Sequence, residues 1–519
     1  MNVGHFLSAS AEHHPDHPAL IWGDRTISYA EADRRANALA TALRERGLMP
    51  GERVGIMMWN RLELLESMFA TWKAGGCVVP LNARFVADEI AYHLADPKAS
   101  VVIFDEGFRE VMAQLSDQLP SVRHFVCVGE PLDGQVRYEE LVTEHLDADR
   151  LSVRVTDEDL AWLFYTSGTT GRPKGAMLTH GNLTFVSLGW VVDLMHLEPE
   201  DVGLHAAPLT HGAGFHALAL TLKAASQVIL KPHQFDPANV LGTITRHRVT
   251  NTWLVPTQIK LLLNCPDLGR FDLSSLKWIV YGGSPMYVED LKDALQRIGH
   301  VFVQIFGQGE TPMTGTYLRP EEHVVEGPLS KRLASCGHAR SGVEIRILHH
   351  DDREAPRGEP GEICVRGPSV MRGYWERPKA TEETLQGGWL RTGDIASMDE
   401  EGYVYILDRT KDMIISGGAN VYPREVEEVL LKHPAVSEVC VLGVPDSVWG
   451  EAVKAVVVLK PGTSATEQDI VAFAAERMAN YKKPRSVDFV DQLPKSAYGK
   501  LLKRELRARY WADHKRVVH

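Results

Sequence analysis

The sequence predicts an α/β protein with a large N-terminal domain and a small α+β domain at its C-terminus. The first observation is length, because 519 residues are enough for at least two domains. The second is that short apolar runs alternate with helical segments between residues 54 and 104, as in parallel crossover units. The third is a change of pattern in the last hundred or so residues. It predicts strands over 403–407, 413–415, 437–444 and 453–460 and helices over 423–432 and 467–478.

The elements of the large domain follow from hydrophobic periodicity and turn residues. The predicted helices cover residues 5–14, 29–46, 62–74, 88–95, 236–249 and 256–264. The predicted strands cover 19–22 and 25–28, which form a hairpin, and 54–58, 100–104, 160–165, 251–255 and 278–281, with a further strand beginning at 78. Residues 129–158 are polar and acidic, and we expect them to form a surface connection.

Composition excludes several classes of function. The formal net charge is −12, so no basic excess favours nucleic acid as a partner. The six cysteines are scattered without a CxxC pair, which predicts reduced thiols in a cytoplasmic protein. The N-terminus has no basic start followed by an apolar run, so we expect no signal peptide. No uncharged apolar stretch reaches 18 residues, so we expect no membrane span.

The chemistry centres on residues 165–175, which follow the predicted strand 160–165. This segment contains three glycines, four serine or threonine residues and the cations Arg172 and Lys174. Glycine backbone N–H groups, hydroxyls and cations all suit phosphate oxygens. The alternative is a solvated turn between two strands, since Gly, Ser and Thr are common in turns. A loop of the GxxxxGK[ST] type is excluded, because Lys174 follows a proline and Gly175 occupies the Ser/Thr position.

Residues 166–175, TSGTTGRPKG, resemble the phosphate loop of the adenylate-forming superfamily. This superfamily comprises acyl-CoA synthetases, aryl-CoA ligases, luciferases and amino-acid-activating domains. Further motifs of the superfamily follow in order over nearly the whole chain, at 70–82, 207–216, 278–286, 301–311, 359–375, 389–394, 408–414, 416–423, 449–451 and 494–500. The resemblance implies an N-terminal domain over 1–409 with mixed parallel sheets and a β-rich subdomain, and a mobile C-terminal domain over 410–519.

The resemblance also implies an ATP/AMP site. The residues expected to bind nucleotide are Thr166, Ser167, Gly168, Thr169, Thr170, Gly171, Lys174, Gly283, Ser284, Gln304, Phe306, Gly307, Gly309, Asp394, Arg409 and Lys500. Phe306 would stack on adenine, and Asp394 would accept both ribose hydroxyls. Thr166 and Glu310 would hold Mg²⁺, a hard cation that prefers oxygen ligands.

The same resemblance assigns the remaining roles. The expected acyl pocket consists of His211, Phe215, Gly283, Met286, Gly309 and Met313, and whether it takes a fatty or an aryl acid stays open. No acidic residue lies between 202 and 235 to pair the ammonium of an amino acid, which argues against amino-acid substrates. Lys500 would be catalytic, Lys411 the hinge, and Gly417, Gly418 and Trp449 would contact CoA.

One position departs from the superfamily pattern. Gly309 stands where a threonine hydroxyl usually contacts the α-phosphate, and Gln308 or Thr311 are the candidates to replace that contact.

The expected activity is that of an acid–thiol ligase. ATP, Mg²⁺ and a carboxylic acid give acyl-AMP and pyrophosphate, and CoA then takes the acyl group. Three alternatives stay open: a ligase that loads a carrier protein, a luciferase-type oxygenase, and a non-catalytic nucleotide-binding scaffold. The sequence also leaves a homodimer open.

Overall fold

The fold is known from a computed structural model. It describes residues 1–511 except 152, 167–171, 232–234, 285, 410–411, 417–418, 447 and 496–500. No helix within these described ranges is long and apolar enough to cross a membrane.

A seven-stranded sheet contains the strand that leads into the phosphate-loop segment. Its strands are β3 (Arg53–Met57), β4 (Cys77–Pro80), β5 (Val101–Asp105), β6 (His124–Val128), β7 (Val136–Arg137), β8 (Leu160–Thr166) and β9 (Lys174–Thr179), in the order β7-β6-β5-β3-β4-β8-β9. All neighbours are parallel except β8 and β9, which pair antiparallel around the loop. The predicted crossover units are thereby confirmed.

A nine-stranded sheet forms the other half of the large domain. Its strands are β1 (Pro18–Trp22), β2 (Arg25–Ser28), β10 (Val202–His205), β11 (Ser226–Ile229), β12 (Asn251–Leu254), β13 (Trp278–Tyr281), β14 (Phe302–Gln308), β15 (Thr311–Leu318) and β16 (His338–Ala339), in the order β16-β15-β14-β13-β12-β10-β11-β1-β2. The six strands from β14 to β1 in this order run parallel, whereas β2, β15 and β16 each pair antiparallel with their neighbours. The β1–β2 hairpin is as predicted.

Helices cover both sheets of the large domain. They are α1 (His5–His13), α2 (Tyr29–Glu45), α3 (Leu62–Lys73), α4 (Ala87–Ala95), α5 (Arg109–Leu115), α6 (Tyr138–Glu144), α7 (His180–Gly189), α8 (Gly212–Leu222), α9 (Pro237–His247), α10 (Pro256–Leu263) and α11 (Val288–Arg297). The expectation of a plain surface connection over 129–158 is wrong, because this segment contains β7 and α6. Tyr138, Leu141 and Val142 of α6 are at most 1 % exposed, so the helix buries an apolar face despite its acidic neighbours.

Two smaller sheets complete the chain. The first contains β17 (Glu344–Leu348), β18 (Gly361–Arg366), β19 (Leu385–Gln386), β20 (Trp389–Met398) and β21 (Val404–Arg409), with helix α12 (Pro378–Thr384) between β18 and β19. The second contains β22 (Ile414–Ser416), β23 (Ala419–Val421), β24 (Val436–Asp446), β25 (Gly450–Leu459) and β26 (Ser486–Phe489), with helices α13 (Pro423–Leu430), α14 (Glu467–Ala475) and α15 (Lys503–Tyr510). This arrangement confirms the predicted β-rich subdomain and the α+β character of the C-terminal region. The division at residue 409 stays a prediction.

All six cysteines are buried and free. Burial raises the pKa of five of the thiols, to about 12 for Cys77, Cys364 and Cys440 and to about 11 for Cys127 and Cys336. These thiols pack as small apolar side chains.

Candidate active site

The candidate site lies where parallel strands of the nine-stranded sheet end. β10, β12, β13 and β14 run parallel, so their carboxyl ends meet at one edge. A crevice outside the carboxyl ends of parallel strands is the usual place for a ligand in an α/β fold. The end of β8 reaches this edge from the other sheet, since the ring of Phe164 lies 5.5 Å from the ring of His211.

Glu310 lies at the centre of the phosphate side of the site. It stands in the tight connection between β14 and β15 and is 8 % exposed. Its Oε1 accepts hydrogen bonds from Thr166 Oγ1 at 2.8 Å and from Tyr374 OH at 2.7 Å. Burial and the nearby carboxylate raise the pKa of Tyr374, which therefore stays a donor. Two segments far from Glu310 in the sequence thus place hydroxyl groups beside its carboxylate.

Tyr374 is a residue that the sequence did not single out. It lies in the motif 370–375, which contributed only to the family resemblance. Its ring also lies beneath a predicted nucleotide-binding cation, with Lys174 Nζ 4.2 Å from the ring centroid. Its place within a family motif was the available signal, but its partner Glu310 is 64 residues away in the chain.

Asp394 is held from two sides. Arg409 is its cross-strand neighbour and donates from Nε to Oδ1 at 3.1 Å. Gln308 donates from Nε2 to Oδ2 at 2.6 Å. Asp394, the carboxylate predicted to bind the ribose, and Arg409 are therefore in contact. Gln308, two residues before Glu310, links this pair to the connection between β14 and β15.

The two candidates to replace the missing threonine hydroxyl have other partners. Gln308 binds Asp394, and Thr311 Oγ1 hydrogen-bonds Ser369 Oγ at 2.8 Å. At Gly309 itself a Cβ would collide with Thr166 Cγ2 and stand 2.6 Å from Phe164 Cδ1. The side chains of β8 thus occupy the space that a threonine at 309 would need.

The predicted adenine side is built by β13 and β14. Tyr281 and Gln304 are register partners, and Tyr281 OH donates to Gln304 Oε1 at 3.1 Å. Phe306 is 9 % exposed. Gly283 is exposed with a φ of +79°, a conformation that favours glycine, and Ser284 after it is half-buried. Backbone without side chains therefore borders the crevice here.

Gly307 is needed for close packing. A Cβ on it would lie 2.6 Å from Met313 Cα and 2.7 Å from Thr314 N on the facing strand. The glycine lets β14 and β15 approach each other beside the site.

Most of the predicted acyl-pocket residues come together. His211 is the N-cap of α8, and Phe215 one turn later packs on Phe164, with ring centroids 5.7 Å apart. Met313 has a left-handed φ of +54°, and its terminal Cε occupies the position that a Cβ on Gly212 would take. Met286 differs, because it is 3 % exposed and packs in a second hydrophobic cluster with Leu254, Tyr281 and Ile259.

Trp253, at the end of β12, lies beside two glycines of the predicted site, and the sequence analysis did not single it out. Its Cζ2 lies 2.9 Å from the Cβ position of Gly212 and 4.0 Å from that of Gly283. The sequence predicted a strand over 251–255, but a strand prediction alone does not show on which side of the sheet the Trp253 side chain lies.

Three histidines lie in or beside α8, and we call His205, His211 and His216 the histidine group; His205 and His216 are buried, and His211 is half-buried. Burial lowers the pKa to about 4 for His205 and His211 and to about 3 for His216. All three are therefore neutral at pH 7, and the pocket beside His211 gains no positive charge from it.

The segment around the predicted hinge is fixed by the last helix. Lys503 Nζ on α15 lies 3.1 Å from Glu427 Oε1 and 3.5 Å from Asp408 Oδ2. One turn later, Arg507 Nη2 lies 2.8 Å from Asp412 Oδ1. Acids on both sides of position 411 are thus paired with cations of α15.

Trp449 lies in the connection between β24 and β25. It is 41 % exposed, and the guanidinium of Arg485 lies 4.3 Å from the centroid of its ring. An exposed aromatic ring is compatible with its predicted contact to CoA.

Several predicted site residues lie outside the described residues. They are Ser167, Gly168, Thr169, Thr170, Gly171, Lys411, Gly417, Gly418 and Lys500.

Comparison with known proteins gives the family. The model of the AMP-binding enzyme family matches residues 7–375, and that of the AMP-binding enzyme C-terminal domain matches residues 425–500. A feruloyl-CoA synthase from Amycolatopsis sp. is 39 % identical over 496 residues, covering 96 % of each chain. A fatty acid–[acyl-carrier-protein] ligase from Streptomyces coeruleorubidus is 34 % identical, covering 99 % of this chain and 97 % of the relative.

Among solved structures, ATP-bound MatB from Rhodopseudomonas palustris is similar to this fold with a TM-score of 0.89. The two sequences are 32 % identical, and the alignment covers 99 % of each chain.

The chain therefore belongs to the AMP-binding enzymes, the adenylate-forming superfamily that its motifs indicate. Within that superfamily it is of the acyl-CoA synthetase type, an ATP-dependent, AMP-forming ligase.

Proposed function

We propose that this enzyme joins a carboxylic acid to CoA in two steps that share the crevice described above. In the first, a carboxylate oxygen attacks the α-phosphorus of ATP in line, an O–P bond forms, and pyrophosphate leaves. In the second, the CoA sulfur attacks the acyl carbonyl, a C–S bond forms, and AMP leaves. The observation that carries the proposal is the convergence of Thr166, Glu310 and Tyr374 beside the Asp394–Arg409 pair.

Asp394 and Arg409 would bind the ribose. A carboxylate has two oxygens and can accept from both ribose hydroxyls, while Arg409 keeps the carboxylate oriented. Gln308 adds a second fixed donor to Asp394. Phe306, Gly283, Ser284 and Gln304 would border adenine.

Thr166 and Glu310 fit a magnesium ion. Their oxygens lie 2.8 Å apart, and carboxylate and hydroxyl oxygens are suitable ligands for this cation. No cluster of three or more His, Cys, Asp or Glu side chains suited to a metal occurs among the described residues. That agrees with Mg²⁺ held by one or two carboxylates together with substrate phosphates. When bound, the ion would offset negative charge on the phosphates.

The C-terminal residues would change roles between the two steps. Lys500 would bridge the substrate carboxylate and the phosphate, so that a cation stabilises two anions as they approach. Rotation about Lys411 would then bring Gly417, Gly418 and Trp449 to the thiol. Buried, unpaired cysteines support a cytoplasmic location, where thiols stay reduced.

A ligase that loads a carrier protein is the second candidate, favoured by the relative from Streptomyces coeruleorubidus. The test incubates the enzyme with ATP, Mg²⁺ and a panel of fatty and aromatic acids and measures pyrophosphate. CoA or a phosphopantetheinylated carrier protein is then added, and the thioester is measured. We expect acid-dependent pyrophosphate and acyl-CoA.

A thioester formed only with the carrier protein would favour the second candidate. If no acid-dependent pyrophosphate is formed, the alternative of a non-catalytic nucleotide-binding scaffold would be favoured instead. Lys500→Ala is the matched variant, and we expect it to lower acyl-AMP formation by roughly 10²–10³-fold. It should spare thioester formation from acyl-AMP supplied ready-made.

A further inference from the structure

A buried ion pair lies behind one wall of the predicted acyl pocket. Arg340 Nε lies 3.2 Å from Asp193 Oδ2, and both side chains are at most 1 % exposed. Asp193 belongs to Trp190–Leu194, a turn of π-helix that continues α7, and such turns are rare and often found at functional sites. Burial of two charges costs desolvation energy that their attraction often does not offset, so the pair is weak evidence for stability. It is better understood by what it holds in place.

The guanidinium of Arg340 also binds the backbone of Met313. Its Nη1 donates to Met313 O at 3.0 Å. Asp193 orients the guanidinium through Nε and is itself held, because Ser341 Oγ donates to Asp193 Oδ1 at 2.7 Å. The bond to Met313 O therefore comes from a fixed, charged donor, and hydrogen bonds from charged donors are the stronger ones.

The backbone of Met313 has a conformation that needs such support. Its φ is +54°, in the left-handed region that residues with a side chain rarely adopt. Its Cα packs closely on Gly307, where a Cβ would lie only 2.6 Å from it. A residue other than glycine stays left-handed only where its surroundings fix it, and the bond from Arg340 is one of the contacts that do so here.

The side chain of Met313 lies across the predicted pocket. Its Cε stands where Gly212, the first residue of α8, would carry a Cβ. The ring of Trp253 borders the same spot, with Cζ2 2.9 Å from that Cβ position. Met313 thus fills space between Trp253 and α8 that a longer or wider acyl group would need. Methionine has three rotatable side-chain bonds, so its placement depends on the direction of the Cα–Cβ bond, which the backbone sets.

We infer that Arg340 is a positioning residue that sets the size limit of the acyl pocket through Met313. Together with Asp193 it holds Met313 in the left-handed conformation that directs the side chain across Gly212. The inference rests on the proposed function, because it takes the space beside Gly212 to be part of the acyl pocket. It assigns Arg340 no contact with the substrate, since its charge is paired with Asp193 and its side chain is fully buried.

The test measures the size limit with two homologous series, unbranched alkanoic acids and 4-alkylbenzoic acids. In each series that the wild type activates, kcat/KM of pyrophosphate release for the first disfavoured homologue is divided by the value for the homologue before it. Met313→Gly removes the side chain and suits the left-handed φ. It should raise this ratio about tenfold, which corresponds to about 1.4 kcal/mol, and leave the KM for ATP unchanged.

Two variants of Arg340 test the positioning. Arg340→Met/Asp193→Asn removes both charges, keeps an oxygen for Ser341 and should raise the ratio as Met313→Gly does, because Met313 O loses its donor. Added to Met313→Gly, the same double change should have no further effect, since no side chain remains to be positioned. Arg340→Lys keeps a charge beside Asp193, but one ammonium nitrogen does not reproduce the separate bonds from Nε and Nη1. It should also raise the ratio, and it carries the test if the double variant does not fold.

Arg35→Met/Glu66→Gln is the matched control. It removes a buried pair of the same chemistry, with Arg35 Nε 2.6 Å from Glu66 Oε1, and keeps an oxygen for Tyr138 OH. This pair joins α2 to α3. The control should leave the ratio unchanged, which separates the loss of a buried ion pair from the loss of the bond to Met313.

The outcomes are distinct. An unchanged ratio in Met313→Gly, or in the Arg340 variants that fold, overturns the inference, and so does an equal rise in the control. A further rise when the Arg340 pair is removed from Met313→Gly also overturns it, because Arg340 would then act by another route. The inference fails as well if neither Arg340 variant folds, since the pair is then needed for folding itself. In all these cases the wild type still releases pyrophosphate with an acid and the proposed function stands, whereas a wild type that adenylates no acid overturns both.

Discussion

Gly309→Ala tests whether the contact between β8 and the Glu310 connection sets the rate of adenylation. The new methyl group would collide with Thr166 Cγ2 and lie 2.6 Å and 2.9 Å from Phe164 Cδ1 and Cε1. Either side chain must move, and Thr166 carries the hydroxyl that donates to Glu310 at 2.8 Å. Overpacking of this kind costs about 1–3 kcal/mol, which corresponds to a loss of roughly 5- to 150-fold in kcat/KM for ATP.

The assay is pyrophosphate release at saturating acid with ATP varied, together with thermal unfolding of each variant. Gly269→Ala is the matched control, because nothing lies within 4 Å of its Cβ position. It should keep the wild-type rate. Thr166→Ser removes Cγ2 and retains the hydroxyl, so the double variant Thr166→Ser/Gly309→Ala should recover about tenfold over Gly309→Ala. Wild-type kinetics for Gly309→Ala would refute the reasoning, and no recovery in the double variant would show that Thr166 is not the obstacle.

Three further predictions address other parts of the structure. Tyr374→Phe removes one of two hydrogen bonds to the Glu310 carboxylate, and we expect pyrophosphate release to fall roughly 10- to 100-fold, since such bonds are worth about 1.5–3 kcal/mol; an unchanged rate would remove Tyr374 from the site. His216 has a lowered pKa of about 3, so its contribution to stability is fully present above pH 6.5 and is lost as the pH falls toward 3. Between pH 7.5 and pH 5, the free energy of unfolding measured in urea should therefore fall by about 2 kcal/mol more in the wild type than in His216→Gln. Identical pH profiles of the two proteins would contradict this. Lys503→Met leaves two buried acids without a cation and should lower the free energy of unfolding by about 3–5 kcal/mol. The more exposed pair of Lys495 should lose less than about 1 kcal/mol in Lys495→Met, and equal losses would show that burial does not matter here.

The order of elements and the location of the site could be predicted from the sequence, because both depend on local patterns. Alternating apolar runs gave the crossover units, and loop motifs follow strand ends that meet at one edge. Thr166, Glu310, Asp394 and Arg409 come together as the motifs indicated. Their roles in catalysis stay predictions.

The partners of these residues could not be predicted, since they depend on packing between distant segments. Gln308 and Asp394 are 86 residues apart, and only the assembled β14 and β20 bring them within 2.6 Å. The sequence analysis places Gly309 in the expected acyl pocket, whereas Phe164 and Thr166 of β8 fill the space next to its Cβ position. Met286 packs in the second hydrophobic cluster, and its place in the acyl pocket stays a prediction.

The burial of the cysteines matters for one side reaction, the acylation of the protein's own thiols by the acyl-adenylate. An acyl-adenylate is a mixed anhydride that acylates any thiolate within reach, and the second step needs a thiolate to attack it. With a pKa of about 11 or 12, the thiols of Cys77, Cys127, Cys336, Cys364 and Cys440 are almost entirely protonated at pH 7, and all are enclosed. These five sulfurs therefore do not compete with the thiol that enters in the proposed second step.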